Sequence, residues 1–179
     1  PNHADAMTYA TTAGPEYLHQ ALERALNEEN DFVALGVVEA LAANAGEKSL
    51  LYRIGTEQPL VKALRYPDRA VRYSAAIAIG QAGPSSEFVG SKLIVENLAE
   101  AITDAGVEEL GRELADVYAL RAIQVLRHLA ISRNTVVDLS RGREALIGAT
   151  RDPREQIQVL AGQVLAYLSS PDAQRAIAQ

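Results

Sequence analysis

The sequence predicts an all-α protein, an α-α superhelix in which helical hairpins stack side by side. Hydrophobic residues make up 48% of the 179 residues, enough for a core, and most of them are alanine or aliphatic, with two Phe, seven Tyr and no Trp. Small side chains let helices approach one another closely, whereas sheets prefer β-branched and aromatic residues. This composition therefore favours helices. Apolar residues also recur at steps of three and four, the period of one buried helical face. Finally, a helical pair returns about every 40 residues.

The first hairpin is predicted at residues 15 to 46, after a lead-in at residues 1 to 14 that has no sustained period and is expected to be flexible. Pro15 suits the first turn of a helix, where a missing N–H leaves no hydrogen bond unmade. The buried stripe of this helix is Leu18, Leu22, Ala25 and Leu26. A second helix is predicted from residue 32 to about 45, and its inward residues are Val33, Val37, Ala40 and Leu41.

The second hairpin is predicted at residues 56 to 83, after a short helical turn within residues 48 to 54. Its first helix carries Leu60, Val61 and Leu64. A turn is expected at residues 66 to 69, since proline fixes φ and aspartate bonds the following backbone. The second helix, residues 70 to 82, ends at Gly83-Pro84, and its inward residues are Val71, Ala75, Ala78 and Ile79.

The third hairpin is predicted at residues 91 to 132, with Ser91 as the candidate N-cap. Its first helix buries Leu93, Ile94, Leu98 and Ile102. A long connection follows from residue 103 to about 116, with a short helix around residues 108 to 114. The return helix is expected from residue 117 to about 131.

The fourth hairpin is predicted at residues 142 to 169. Its first helix carries Ala145, Leu146 and Ala149, and a turn follows at residues 151 to 154. The second helix, residues 155 to 168, has Ile157, Ala161, Val164 and Leu165 inward. A last helix at residues 171 to 179 looks like half of a further hairpin.

The second helices can be aligned with one another. Three positions, four residues apart, hold Val33, Val71, Tyr118 and Ile157, then Val37, Ala75, Ala122 and Ala161, then Leu41, Ile79, Leu126 and Leu165. The last set is separated by 38, 47 and 39 residues. Two of these steps match the period of about 40 residues found in helical repeat arrays, and the long connection explains the third.

The run from Leu64 to Gly80 resembles the HEAT-repeat motif of armadillo-like α-solenoids. It combines an apolar helix end, a Pro-Asp turn, the pair Val71-Arg72 and an alanine-rich helix. Residues 149 to 165 form a weaker copy, and the similarity covers about residues 15 to 168. The resemblance implies one solenoid domain, residues 15 to 179, of about four hairpins plus a terminal helix. It also implies that the second helices line the inner, concave surface.

The chain departs from the family pattern at the ladder of Asp and Arg side chains that links neighbouring repeats. Tyr66 stands where the family often carries the Asp that precedes Arg72, and Gln158 replaces the Arg that would follow Asp152. The stacking is therefore expected to depend mainly on apolar burial.

Composition narrows the functional classes. A chain without cysteine forms neither disulfides nor thiolate metal sites, and it suits a reducing compartment, so we expect a cytoplasmic location. No signal peptide is visible, and the apolar runs are shorter than the ~20 residues of a membrane span. The net charge of −6 argues against nucleic-acid binding. Because the chain opens at Pro1 without Met, we expect a piece of a longer protein.

No motif of catalysis, cofactor binding or metal binding is found, so the chain is predicted not to be an enzyme. Its histidines, His3, His19 and His128, are scattered, and His19 and His128 are expected at the surface. Glu28, Glu29 and Asp31 form an acidic turn, but nothing in the sequence indicates a pocket around them.

The densest basic cluster combines Arg65, Arg69 and Arg72 with Lys62 and Tyr73. It could anchor an acidic peptide or a phosphate, because guanidinium groups match both. The structural alternative is that these arginines pair with neighbouring acids and cap helix ends. Later second helices add outward polar residues. The predicted partner-binding residues are therefore Arg69, Arg72, Tyr73, Arg121, Gln124, Arg127, Gln158 and Gln163.

The sequence thus favours a non-catalytic scaffold that binds a protein or peptide along its second helices. One alternative is an enzyme that resembles HEAT-like bilin lyases or DNA glycosylases, since a fold alone does not exclude catalysis. Another is a purely structural segment that forms homo-oligomers through its last helix, where Ala173, Ile177 and Ala178 form an apolar stripe.

Overall fold

The structure is a computed structural model that describes residues 14–44, 46–104, 106 and 111–169. Within these ranges all regular elements are helical, which confirms the all-α prediction. The lead-in before Gly14 and the predicted last helix lie outside the described residues. The helices are α1 Pro15–Asn27, α2 Asp31–Asn44, α3 Glu47–Leu50, α4 Pro59–Ala63, α5 Arg69–Ala82, α6 Lys92–Thr103, α7 Arg112–Ile131, a 3₁₀ turn Leu139–Gly142, α8 Arg143–Ala149 and α9 Glu155–Ser169.

The chain divides after Ala82 into two compact units, each built from two stacked hairpins. In the first unit α1 pairs with α2 and α4 with α5, while α1 also packs on α4 and α2 on α5. In the second unit α6 pairs with α7 and α8 with α9, while α6 packs on α8 and α7 on α9. Within each unit, first helices therefore pack on first helices and second helices on second helices. The extent of one domain over residues 15 to 179 stays a prediction.

Helix α5 forms the centre of the first unit. Its predicted inward residues, from Val71 to Ile79, are all buried, and the 14-residue helix is buried along most of its length. The reason is that α2, α3 and α4 all pack against it. Asp68 accepts a hydrogen bond from the backbone N–H of Val71 at 2.9 Å, so the turn caps the helix as predicted. Gly83, with φ of 64°, ends it.

The predicted buried face of α2 is correct at Ala40 and Leu41 but wrong at Val33 and Val37. Val33 is 42% exposed and Val37 is half-buried, whereas their neighbours Ala34 and Val38 are fully buried. Helix α2 is apolar on almost every side, so its sequence period could not select the face that packs on α1 and α5. In the alignment of second helices, Ala34 and Val38 therefore replace Val33 and Val37, while Leu41 keeps its place.

Two features of the third hairpin also differ from the prediction. Ser91 precedes α6, but its side chain makes no capping hydrogen bond. Helix α7 begins at Arg112 rather than at residue 117, directly after Gly111, whose φ of 73° favours glycine. The predicted short helix around residues 108 to 114 lies partly outside the described residues, and its described end belongs to α7. In the fourth hairpin Leu165 is only half-buried, whereas Ile157, Ala161 and Val164 are buried.

Candidate functional site

The second helices of the second unit, α7 and α9, lie side by side and run in the same direction. Near their starts, Arg154 Nη1 donates to Asp116 Oδ1 at 2.8 Å. Further along both helices, Arg127 Nε donates to Gln163 Oε1 at 2.7 Å. These two bonds fix the pair at both ends, so the exposed sides of α7 and α9 form one surface, which we call the α7–α9 face.

On its α9 side, the α7–α9 face is poor in charge and rich in amides and apolar groups. After Glu155, helix α9 has no charged residue, although more than half of its side chains are exposed. Charge depletion together with exposed apolar and aromatic side chains is typical of the centre of a protein interface. The exposed apolar and amide residues of the face are Val117, Gln124, Gln156, Val159, Gln163 and Tyr167.

Three of the predicted binding residues of α7 belong to this face together with Gln163. Gln124 and Gln163 are exposed, while Arg121 and Arg127 are half-buried. Gln158 is exposed on α9, but its Nε2 donates to the carbonyl oxygen of Thr150 at 2.9 Å, which ties it to the turn before its own helix. The structure thus brings together four of the eight predicted residues.

The predicted residues of the first unit behave differently. For Tyr73 the prediction is wrong, because its side chain is fully buried and offers no surface to a partner. Arg72 Nη1 donates to the carbonyl oxygens of Tyr66 at 3.1 Å and Pro67 at 2.7 Å, so it stabilises the turn before α5. Arg69 is half-buried. The structural alternative for the basic cluster is therefore favoured at Arg72.

Tyr66 links the two hairpins of the first unit at the position where the family ladder would have an Asp. Its hydroxyl donates to Asp31 Oδ1 at 2.8 Å, and the ring is buried. Burial, followed by the hydrogen bond and the nearby carboxylates, raises the pKa of Tyr66 to about 12. The acidic turn around Asp31 thus serves as an acceptor between hairpins, and Glu28 pairs with Arg24 at 2.7 Å.

We expect Tyr66→Phe to lower the free energy of unfolding by about 1 kcal/mol, the usual contribution of one such hydrogen bond. Because the pKa of Tyr66 is raised, its contribution is fully present below about pH 10 and is lost as the pH rises through about 12. Urea denaturation at pH 7 measures the difference. The exposed Tyr17→Phe is the matched control, and an equal loss in both variants would contradict the assignment.

Arg154 is the main polar link of the second unit, a role that the sequence pattern does not predict. Besides Asp116, it binds Asp152 through Nε at 2.8 Å and Nη2 at 2.7 Å, and Nη2 donates to the carbonyl oxygen of Ile102 at 3.1 Å. These hydrogen bonds raise the pKa of Arg154, and Arg154 lowers the pKa of Asp152. The group therefore joins the end of α6, the start of α7 and the turn before α9.

Arg154 also lines an open cleft of about 600 Å³ at this end of the second unit. Three aspartates and two arginines contribute to its wall, and Arg154 already bonds two of the aspartates. In the part of the chain that the structure describes, no group of His, Asp or Glu side chains is arranged to hold a metal ion. The described lining of the cleft is Ile102, Thr103, Asp104, Arg112, Asp116, Gly148, Ala149, Asp152, Pro153 and Arg154.

The two described histidines lie in different environments. His128 is exposed, as predicted. His19 is fully buried, so the prediction of a surface position is wrong. The ring lies under residues 49 to 52. The helical period of the sequence does not show that this segment covers α1.

Fold and face together define the class: an all-α protein of stacked helical hairpins with an exposed pair of second helices, of which α9 carries no charge after Glu155. No family model, curated protein or solved structure matches the chain. The HEAT resemblance thus rests on the motif alone and stays a prediction. Of the helices in the described ranges, none has the length and apolarity needed to cross a bilayer.

Proposed function

We propose that this chain is a non-catalytic protein-interaction scaffold of HEAT type that works in the cytoplasm. Its second unit binds a segment of a partner protein across the α7–α9 face. The observation that carries the proposal is the absence of charge from α9 after Glu155, although most of its side chains from that point are exposed. A helix exposed to water alone usually carries charged residues on its outer side.

The chemistry of the face suits an extended peptide. Gln124 offers an amide donor and acceptor, which match the C=O and N–H groups of a peptide backbone. Gln163 offers its amide N–H groups, because its Oε1 already accepts from Arg127. Val117 and Val159 offer exposed apolar surface for partner side chains. We therefore propose an extended, partly apolar segment of a protein as the partner.

The test uses an array of extended peptides rich in apolar residues, with and without Asp or Glu, followed by fluorescence titration of the strongest binder. Val159→Glu places an unpaired charge in the proposed interface, and we expect it to weaken binding at least about tenfold, as for a central interface residue. The matched control is Ile147→Glu on α8. These two residues are similarly exposed, 52% for Val159 and 49% for Ile147, but Ile147 lies on a first helix.

The expected result is that Ile147→Glu binds like the unmodified chain while Val159→Glu does not. Circular dichroism of both variants shows that they remain folded. Equal binding by all three proteins would refute the α7–α9 face as the binding surface. Absence of any binder up to about 100 μM would refute the proposed peptide class, since specific peptide recognition is usually stronger than that.

A further inference from the structure

The buried histidine of the first unit holds the segment that connects the two hairpins. His19 Nε2 lies 2.5 Å from the carbonyl oxygen of Ser49, and its ring centroid lies 5.7 Å from that of Tyr52. Tyr52 in turn is hydrogen-bonded to Glu16 on α1. We call residues 47 to 58 the α3 segment. Contacts of one imidazole ring thus fasten this segment to α1.

The hydrogen-bonding pattern defines the protonation state of the ring. A carbonyl oxygen only accepts, so Nε2 must carry the hydrogen that it donates to Ser49. Nδ1 is buried, and it has no hydrogen-bond partner within the described residues. In the neutral ring Nδ1 is an acceptor, and leaving it unpaired is tolerable. A second proton would create a buried donor with no acceptor and a buried charge.

The surroundings offer no compensation for that charge. Within the described residues, no carboxylate forms a hydrogen bond or an ion pair with the His19 ring, and the carboxylate of Glu16 already bonds Tyr52. Burial lowers the pKa of His19, and the bond to Ser49 opposes this only in part. The charged and titratable residues on the elements packed around this contact are Glu16, Tyr17, Glu23 and Arg24 on α1, Asp31 and Glu39 on α2, Glu47 and Lys48 on α3, Tyr52, Arg53 and Glu57 in the rest of the segment, Lys62 on α4, and Arg69, Arg72 and Tyr73 on α5.

We propose that acidification releases the α3 segment from α1, because protonation of His19 breaks the packing that depends on its neutral ring. The segment is suited to move on its own. The hydrogen bond from Gln58 Nε2 to the carbonyl oxygen of Leu51 and the bridge between Ile54 and Glu57 are internal to the segment, so they can persist when it moves. Besides the His19 ring, the hydrogen bond between Tyr52 and Glu16 and the packing of α3 on α1 and α5 hold the segment in place. The side chain of Leu50 in the α3 segment is buried in the core.

The direction of the pH effect follows from linkage. The pKa of His19 is lower in the folded chain than in the unfolded chain, so below about pH 6.5 the unfolded chain binds more protons. The contribution of the neutral ring is present above that pH and is lost as the pH falls through the pKa of the folded chain. The released state is therefore favoured on the acidic side.

Hydrogen–deuterium exchange of the full chain at pH 7.5 and pH 5.0 tests this, with rates corrected for the intrinsic effect of pH and expressed as protection factors. We expect protection in the α3 segment to fall about tenfold at pH 5.0, since an unpaired buried donor usually has an effect of that size. Protection in α7 should stay constant. His19→Gln keeps a donor for Ser49 but does not titrate, so it should lose the response, whereas His128→Gln should keep it.

Unchanged protection of the α3 segment in the unmodified chain, or a full response in His19→Gln, would overturn the proposal. If His19→Gln does not fold, the titration of the ring in the unmodified chain, followed by NMR, decides in its place. A pKa of His19 at or above its usual value of about 6.5 would then refute the proposed release of the α3 segment by acidification.

Discussion

Replacing Leu126 by alanine is expected to lower the free energy of unfolding of the second unit by about 2 to 5 kcal/mol. Leu126 is fully buried on the inner side of α7, and its Cδ1 lies close to Gly142 in the 3₁₀ turn before α8. Removal of three carbons leaves a cavity between elements that pack on three sides, and the neighbouring helices cannot collapse into it without losing other contacts. Denaturant unfolding followed by circular dichroism measures the loss.

Ile131→Ala is the matched control for this prediction, because Ile131 lies on the same helix but is 44% exposed. We expect the free energy of unfolding to change by less than about 1 kcal/mol in this variant, since only part of the Ile131 side chain is buried in the folded chain. Similar losses in the two variants would mean that α7 is not packed as described. The comparison therefore tests the orientation of α7 as well as the energy of its core.

Replacement of Arg154 by methionine should destabilise the second unit by about 1.5 to 3 kcal/mol, the range for hydrogen bonds to charged groups. Asp152 is largely buried, and in the variant it would lose its main partner, as would Asp116 and the carbonyl oxygen of Ile102. Methionine retains most of the apolar stem of arginine, so the change reports mainly on the guanidinium. Arg151→Met, an exposed position in the same turn, is the control.

The pH dependence of this difference provides a second readout. Arg154 lowers the pKa of Asp152, so the contribution of the pair is present above the usual aspartate pKa of about 3.8 and is lost as the pH falls through the lower pKa of the folded chain. The two proteins should thus differ fully at pH 6 and differ less below about pH 4. A difference that is independent of pH would mean that the ion pair with Asp152 is not the cause.

The sequence predicted the helices and their pairing well, since a strong period of three and four residues identifies a helix without knowledge of its neighbours. The predicted buried face was correct for α5, where Arg72 and Gln81 mark the less buried side. For α2 it was correct at Ala40 and Leu41 but wrong at Val33 and Val37, because Phe32 and Val33 make the outer side as apolar as the inner one. A period identifies a buried face only when the other side is polar.

The candidate site was predicted in part for a similar reason. Gln124, Arg127 and Gln163 are polar residues on the outer sides of regular helices, a position that the helical period gives directly. Tyr73 neighbours Arg72 in the predicted basic cluster, but the packing of α2, α3 and α4 around α5 buries it. The role of Arg154 could not be predicted from its neighbours in the sequence alone. Two of its partners, Asp116 and the carbonyl oxygen of Ile102, lie 38 and 52 residues earlier in the chain.

The polar bonds between neighbouring hairpins have one consequence for how such a chain can change. Among the described residues several join positions 35 or 36 apart, as Tyr66 does with Asp31, Ser74 with Glu39 and Arg127 with Gln163. Within each unit, the two hairpins therefore bond each other at a nearly constant spacing along the chain, as in repeats that contact only their neighbours. Duplication of a whole hairpin would keep every bond of this kind in place, so a fold of this type can lengthen by one hairpin at a time without a new core.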